Sequence, residues 1–316
     1  MKKPVPTLLM AAFRCAPSTM EWIAKKGLDW NIFGPISEMA RLAQFVRSSR
    51  SGNQPLHQVF SEGWNHQSVQ DVEVLITAFR YREFLPRAIE SAKLALKYAL
   101  DHGRSGGIAV IEDCGRDGSW EWLCDCIQDT SIPMRIIQPH ENIGLVAARN
   151  MVLNSSPART LFVLDADNTV DKSGLLRLIE TLSQSSSVAA YGKLRVIDSN
   201  GTHVRDVSDK PLDRQEMLEE RNHIDAMALY DRAALKAAGG WDATILEYGW
   251  GMEDYMLWIQ WLVQGKEPLF VLEYIGDYFM KPDSMSRIYN TKTESRLLKW
   301  ARWKYYPLFK VGAKAG

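Results

Sequence analysis

In LFVLDADNTV, residues 161–170, four apolar residues run directly into a segment with two acids. The acids, Asp165 and Asp167, are spaced i, i+2. Side chains alternate between the two faces of an extended strand, so this spacing predicts that both carboxylates point to the same side. Such a pair could hold Mg²⁺ or Mn²⁺, which prefer carboxylate and phosphate oxygens. The alternative is that one acid caps the next helix while the other lies in a turn.

The segments on either side of this stretch repeat one pattern of strand, loop and helix. Three short β-rich runs, VEVLIT, IAVI and MRII, come before it, and each is followed by a turn and a helix-forming segment. The helix after the fourth strand is DKSGLLRLIETL. Four such repeats predict an α/β fold in which a mostly parallel sheet has helices on both faces.

Polar residues fall where these predicted strands end. Thr77 follows the first strand, Asp113 the second, and Asp165 and Asp167 the fourth. Ligands of such sheets lie beyond the carboxyl ends of the strands. These side chains are therefore expected to meet at one edge and to line a binding site.

Changes in the pattern predict three regions. Residues 1–70 lack the strand–helix repeat and are predicted to be an N-terminal extension of unknown role. Residues 71–285 form the main domain, whose second half mixes strands and helices after about residue 188. In that half GMEDYMLWIQWLVQG predicts an amphipathic helix closed by Gly265. Residues 286–316 form a C-terminal tail rich in basic and aromatic residues.

Composition narrows the class of protein. Lys+Arg and Asp+Glu are both 38, so a net charge of zero argues against a nucleic-acid partner. The four cysteines fit no common zinc spacing and are expected to be reduced thiols of a cytoplasmic protein. No apolar run approaches the ~18 residues of a membrane helix. The tail composition suits peripheral contact with the inner face of a membrane, and the alternative is a packed helix with a solvated basic face.

Five motifs, taken together and in order, resemble the family 2 glycosyltransferases with the GT-A fold. They are VEVLITAFRYREFLPRAIES, IAVIEDCGRDGSWEWL, NIGLVAARNMVL, TLFVLDADN and GMEDYMLWIQWLVQG. The resemblance covers roughly residues 72–285. It implies a Rossmann-like nucleotide-binding half with a mostly parallel sheet, and a mixed half that binds the acceptor. It also implies transfer of a hexosyl or N-acetylhexosaminyl group from a nucleotide diphosphate, with UDP favoured, to a glycan, lipid-linked or other hydroxyl acceptor.

The resemblance also implies residues that bind the nucleotide. Thr77 and Phe79 would line the base pocket, where the ring could stack on a pyrimidine. Asp113 would accept the uracil N3–H, although it would serve thymine equally well. Arg149 would face phosphate or base. For three of these positions a simpler structural role stays open: a core ring at Phe79, a turn residue at Asp113 and a surface charge at Arg149.

The same resemblance implies the residues of the reaction. Asp167 would coordinate Mn²⁺ or Mg²⁺, and Asp165 would reach the ribose or a bound water of that metal. Asp254 would deprotonate the acceptor hydroxyl in a single, inverting displacement, with Glu253 supporting the site. The alternative for the last two is capping of a helix N-terminus. Trp250 could stack on a sugar, whereas Trp241, Trp258 and Trp261 are expected in the core.

The sequence departs from the family pattern at Lys281. Many relatives carry a histidine there, in a His-Pro-x-Ser-type segment, as a further metal or phosphate contact. Here the segment is MKPDSMSR. A charged lysine cannot ligate a metal, but it can pair with a diphosphate. The departure puts strict dependence on a metal in question.

Three other classes of protein are alternatives to a glycosyltransferase. A haloacid-dehalogenase-type phosphatase would use Asp165 as nucleophile, but its metal-binding partners are missing: five residues separate Asp277 from Asp283, which is too many. A sugar nucleotidyltransferase should have a Gly-rich loop after the first strand, and TAFRYREF has no glycine. A non-catalytic carbohydrate-binding module would bind acceptor without depending on either acidic pair.

Overall fold

The computed structural model describes residues 56–64, 69–128, 130–243 and 252–281, together with residues 298 and 301. The strands are β1 (Leu56–Phe60), β2 (Val72–Ala78), β3 (Gly106–Glu112), β4 (Met134–Pro139), β5 (Thr160–Asp165), β6 (Thr169–Val170), β7 (Ala189–Ile197), β8 (His203–Val207), β9 (Leu229–Asp231) and β10 (Leu269–Phe279). The helices are α1 (Leu85–Asp101), α2 (Ser119–Cys126), α3 (Leu145–Ser155), α4 (Lys172–Ser183), α5 (Arg214–Glu219), α6 (Arg232–Ala237) and α7 (Glu253–Val263). The predicted strand–helix repeats are confirmed.

The described strands form a single ten-stranded sheet. Its order is β1-β4-β3-β2-β5-β9-β7-β10-β6, and β8 pairs with β7. Strands β4, β3, β2 and β5 run parallel, whereas the other half mixes parallel and antiparallel pairs. This arrangement confirms the predicted fold class. The chain adds β3 and β4 on one side of β2 and β5 on the other, so a topological switch point lies between β2 and β5.

Strand β1 lies inside residues 1–70, the predicted N-terminal extension. It pairs antiparallel with β4 along its whole length. The Ser61 Oγ just beyond it accepts a hydrogen bond of 2.8 Å from the Met134 N–H. The sheet therefore begins before residue 71. The sequence showed no helix after this strand because β1 is an antiparallel edge strand, which needs no crossover helix.

Two hydrophobic clusters cover the two faces of the sheet. On β2, Val74 and Ile76 belong to the cluster with α1 and α4, while Leu75 belongs to the cluster with α3 and α7. Burial on both faces explains why the parallel strands are continuous apolar runs. Around Tyr230 the second cluster contains the tryptophans predicted in the core, Trp241, Trp258 and Trp261. Among the described residues, no helix is both long and apolar enough to cross a bilayer.

Strand β10 packs closely against β6, the short strand that follows Asp165 and Asp167 in the chain. A Cβ built on Gly276 would lie 2.1 Å from the carbonyl oxygen of Thr169 in β6. We expect Gly276→Ala to lower the free energy of unfolding by about 1–3 kcal/mol, because a backbone atom cannot move aside cheaply. Urea denaturation measures the change. Gly63→Ala is the control, since its added Cβ meets nothing within 4 Å. Equal stability of the two variants would contradict this packing.

Candidate active site

The candidate site lies at the switch point, where β2 and β5 end side by side. Thr77 of β2 is in register with Asp165 of β5. The Thr77 hydroxyl is buried and has no hydrogen-bond partner within the described part of the chain. Buried polar atoms are rarely left unpaired. The hydroxyl is therefore available to a ligand that enters at this edge.

Strand alternation predicted that Asp165 and Asp167 both lie on an extended strand, and the structure differs. Strand β5 ends at Asp165, and the Asn168 N–H donates to the Asp165 carbonyl oxygen at 3.0 Å, which closes a turn. Asp167 lies within this turn rather than on the strand. The prediction that strand alternation aligns the two carboxylates is therefore wrong. They lie near each other because the chain turns, and each has a different cationic partner.

Arg149 joins the acids of two distant chain segments. Its Nη2 lies 2.9 Å from Asp165 Oδ1, and its Nη1 donates to Glu253 Oε1 at the start of α7. The side chain projects from α3 and is 1% exposed, so the alternative of a surface charge is wrong. Burial alone would lower the pKa of Arg149, but the carboxylates of Glu253 and Asp165 raise it above its usual value. The guanidinium stays charged and holds both carboxylates.

Asp254 follows Glu253 in the first turn of α7 and is partly exposed. Its Oδ2 accepts a hydrogen bond of 3.2 Å from Asn222 Nδ2. Burial raises the pKa of Asp254, and the neighbouring carboxylates of Glu253 and Asp225 raise it further. A carboxylate with a raised pKa is a stronger base than a free aspartate, which suits it to take a proton.

Asp113 holds the loop that leads into α3. Its two oxygens accept hydrogen bonds from the N–H groups of Ile143 and Gly144, at 2.8 and 2.7 Å, and from Asn142 Nδ2 at 2.9 Å. Burial raises the pKa of Asp113 to about 6, although the two N–H groups oppose that shift. This is the turn role that the sequence left open. A contact with a nucleotide base stays a prediction, and it would use a carboxylate already bonded to this loop.

Phe79 belongs to the segment that follows β2, and Lys281 contacts that segment. The Phe79 ring is 40% exposed, so the alternative of a core ring is wrong, and it is accessible for stacking. Lys281 Nζ lies 2.9 Å from Asp167 Oδ2. The same ammonium lies 3.8 Å and 3.5 Å from the ring centroids of Tyr81 and Phe84. Trp250, predicted to contact the acceptor, lies outside the described residues.

Comparison with known proteins places this geometry in a family. Residues 73–239 match the model described as glycosyl transferase family 2. The chain belongs to glycosyltransferase family 2. The match begins within β2 and ends beyond β9, and α7 lies outside it. It includes Thr77, Asp113, Arg149, Asp165 and Asp167.

Individual relatives of this family 2 chain show how far the likeness extends. It is 29% identical over 162 residues to the succinoglycan biosynthesis protein ExoO of Rhizobium meliloti (strain 1021), a match that covers 51% of this chain and 44% of that protein. The chain therefore spans less than half of that relative. The crystal structure of S. aureus TarS 1-349 in complex with UDP-GlcNAc is similar in fold, with a TM-score of 0.55, 12% identity, and coverage of 70% of this chain and 61% of that one.

Further structures of TarS agree with this fold assignment. The TarS 1-349 structure without a named ligand has a TM-score of 0.52 and 13% identity, and covers 66% of this chain and 60% of that one. At such identity the likeness shows the fold alone. It confirms the GT-A type architecture predicted for this family 2 glycosyltransferase.

Asp225 is a candidate site residue that the sequence analysis missed. It precedes β9, and the neighbouring Ala228 carbonyl oxygen accepts from the Val163 N–H of β5 at 3.2 Å, so this segment runs beside the end of β5. Its carboxylate accepts from the Met227 N–H at 2.9 Å. Burial, and then the charge of Asp165, raise the pKa of Asp225 to about 7. The only sequence signal was one acid within the otherwise mostly apolar run HIDAMALY.

Asp165 and Asp167 are the candidate protein ligands of a divalent cation. Within the described ranges, no group of three or more His, Cys, Asp or Glu side chains is placed to hold a metal. Asp165 and Asp167 supply two carboxylates, the donors that hard cations prefer. Burial and the charge of Asp165 raise the pKa of Asp167, while Lys281 lowers it. The donor set fits a cation whose remaining ligands come from a phosphate-bearing substrate and water.

Proposed function

We propose that the protein transfers a sugar from a nucleotide diphosphate, in the first instance a UDP-sugar, to a hydroxyl acceptor with inversion at the anomeric carbon. One observation carries this proposal. Arg149 binds Asp165 at the end of β5 and Glu253 at the start of α7, so the acids of these two segments lie next to each other. A single displacement needs one group at the leaving diphosphate and another at the incoming alcohol.

The edge formed by β2, β3 and β5 is the donor side of this proposal. Phe79 offers an exposed ring to the base, and the unpaired Thr77 hydroxyl faces the same edge. Asp167 and Asp165 would hold Mn²⁺ or Mg²⁺ together with the diphosphate oxygens. The bound cation would neutralise the charge that grows on the β-phosphate oxygen as the glycosidic bond breaks.

Helix α7 is the acceptor side. The Asp254 carboxylate takes the proton of the acceptor hydroxyl while that oxygen forms a bond to the anomeric carbon. The bond from the anomeric carbon to the diphosphate oxygen breaks, and the nucleoside diphosphate leaves with the electron pair. Glu253 and Arg149 hold the start of α7 against the end of β5, which fixes the base relative to the donor.

The comparisons guide the choice of substrates. The TarS structure in complex with UDP-GlcNAc supports UDP-linked N-acetylhexosamine as the first donor to test. The likeness to a succinoglycan biosynthesis protein supports a polysaccharide or other glycan acceptor, free or lipid-linked. Membrane contact through residues 286–316 stays a prediction, because only residues 298 and 301 of that tail are described.

Nucleotide binding by this site is testable without an acceptor. We expect UDP with Mn²⁺ to raise the melting temperature of the wild-type protein, and Asp167→Asn to weaken UDP binding at least tenfold because the proposed metal ligand is lost. Calorimetric titration with UDP, GDP and dTDP, with Mn²⁺ or with EDTA, measures both effects.

Asp101→Asn is the matched control for this prediction. Asp101 forms an exposed pair with Lys97 on α1, and its loss is expected to leave UDP affinity unchanged. Hydrolysis of an aryl phosphate without any response to nucleotides would favour the phosphatase class. UDP affinity that is equal in the wild type and in Asp167→Asn would contradict the role given to Asp167.

A further inference from the structure

The ammonium group of Lys281 forms an ion pair with Asp167, the proposed metal ligand. The residue follows β10, and its ammonium lies 2.9 Å from Asp167 Oδ2. The ammonium also rests on the faces of the Tyr81 and Phe84 rings. The side chains of Lys281 and Asp167 are 19% and 15% exposed, so water screens this ion pair only weakly. The ammonium therefore neutralises Asp167 before any ligand arrives.

Two other cations that the described residues place near these acids, Arg149 and Arg87, have different partners. Arg149 is fixed between the carboxylates of Asp165 and Glu253. Arg87 lies 3.4 Å from the centroid of the Phe279 ring, and its Nη2 donates at 2.6 Å to the backbone carbonyl of Asp167 rather than to its carboxylate. Lys281 alone among these three holds one carboxylate and otherwise touches ring faces. Its flexible four-carbon stem lets the ammonium change partners.

An ammonium and a divalent cation compete for one carboxylate. Two like charges a few ångströms apart repel each other strongly where water screens them weakly, and a doubly charged ion doubles that repulsion. A nucleotide diphosphate removes the conflict because its oxygens offer the ammonium a new anionic partner. Asp167 is then free to bind the metal.

We propose that Lys281 occupies the cation position at Asp167 while the donor site is empty, so that the divalent cation binds only together with the nucleotide diphosphate. This inference rests on the proposed function, since it assigns a diphosphate donor to the site. Metal and nucleotide then bind with positive coupling, and each raises the affinity for the other by the same factor.

The experiment measures Mn²⁺ binding to the donor-free protein by the electron paramagnetic resonance signal of free Mn²⁺. We expect weak binding to the wild type and at least tenfold tighter binding to Lys281→Met, which keeps the apolar stem on the two rings but removes the charge. Lys281→Gln serves as a second neutral variant if the methionine variant fails to fold. Lys281→Arg keeps the charge and is expected to bind Mn²⁺ as weakly as the wild type.

Adding UDP completes the test. UDP is expected to tighten Mn²⁺ binding to the wild type at least tenfold and to have a smaller effect on Lys281→Met. Lys193→Met, which removes a positive charge from β7 next to Tyr274, is expected to behave as the wild type. Mn²⁺ affinity that is the same in the wild type and both neutral variants, or immeasurable in all of them, overturns the inference.

Failure of this inference differs from failure of the proposed function. If the wild type with Mn²⁺ binds no UDP, GDP or dTDP, the donor assignment is wrong, yet the donor-free comparison still decides whether Lys281 excludes the metal from Asp167. If nucleotides bind but Mn²⁺ binds the donor-free wild type as tightly as Lys281→Met, the donor assignment stands and the role of Lys281 is wrong.

Discussion

Replacing Arg149 by methionine is expected to lower the free energy of unfolding by about 3–5 kcal/mol and to abolish sugar transfer. The guanidinium is buried and holds Asp165 and Glu253 together. Without it, two carboxylates that are partly or fully shielded from water lose their counter-charge and repel each other. The start of α7 then loses its link to the end of β5. Urea denaturation at pH 7 measures the loss of stability, and release of UDP from the donor measures transfer.

Arg135→Met is the matched control for this prediction. Arg135 forms a second buried pair, with Glu73 at 2.8 Å, where β2 and β4 begin and thus at the opposite edge of the sheet. A comparable loss of stability is expected there, because a buried glutamate again loses its partner. Below its melting temperature this variant should keep UDP affinity, since none of its contacts reaches the site. An Arg149→Met protein within about 1 kcal/mol of wild-type stability, or one that retains transfer, would contradict the role given to Arg149.

The features that could be predicted from the sequence are those set by local pattern. A parallel strand buried on both faces needs a continuous apolar run, and β2, β3 and β5 all have one. An acid inside such a run needs a buried partner, as Glu73 has in Arg135, so acids without one are expected where the run ends, at the carboxyl edge. Thr77 and Asp165 are therefore neighbours, as expected from a parallel sheet.

The features that could not be predicted depend on partners distant in the chain. Whether Asp167 lies on a strand or in a turn depends on where β5 ends, and only the hydrogen bond from Asn168 shows that it ends at Asp165. Arg149 is 104 positions from Glu253, and no local pattern distinguishes a buried arginine on α3 from an exposed one. Asp225 gave only a weak sequence signal, because it comes near Asp165 through the antiparallel pairing of β9 with β5.

The ion pair between Lys281 and Asp167 also could not be predicted from the sequence. The departure from a histidine at this position was visible, but the side chain could equally have pointed to solvent. Its contact with Asp167 depends on the path of β10, which the tight approach of Gly276 to Thr169 fixes. Local composition therefore predicts which residues are unusual, and long-range packing decides what they do.

Asp254→Asn is expected to lower the rate of sugar transfer by about 10²–10⁴-fold, the usual contribution of a general base. UDP affinity should stay within twofold of the wild type, because the substitution lies on the proposed acceptor side. Asn222→Ala is the companion variant: it removes the hydrogen bond to Asp254 Oδ2 but keeps the base. Its rate should fall less, and its rate–pH curve should shift to higher pH because the ionised carboxylate loses a donor.

The raised pKa of Asp254 also fixes the sign of two pH effects. Burial and the carboxylates of Glu253 and Asp225 favour its protonated form, so the transfer rate of the wild type should rise with pH through this pKa and level off above it. An unfolded aspartate titrates near pH 3.9, as a rough reference value. The folded group keeps its proton at higher pH, so its stabilising contribution is full below that value and is lost as pH rises through the folded pKa. Asp254→Asn cannot lose a proton, and its stability relative to the wild type should increase from pH 5 to pH 8 in urea titrations. A difference that stays constant over this range, together with transfer near the wild-type rate, would show that Asp254 is neither a perturbed acid nor the base.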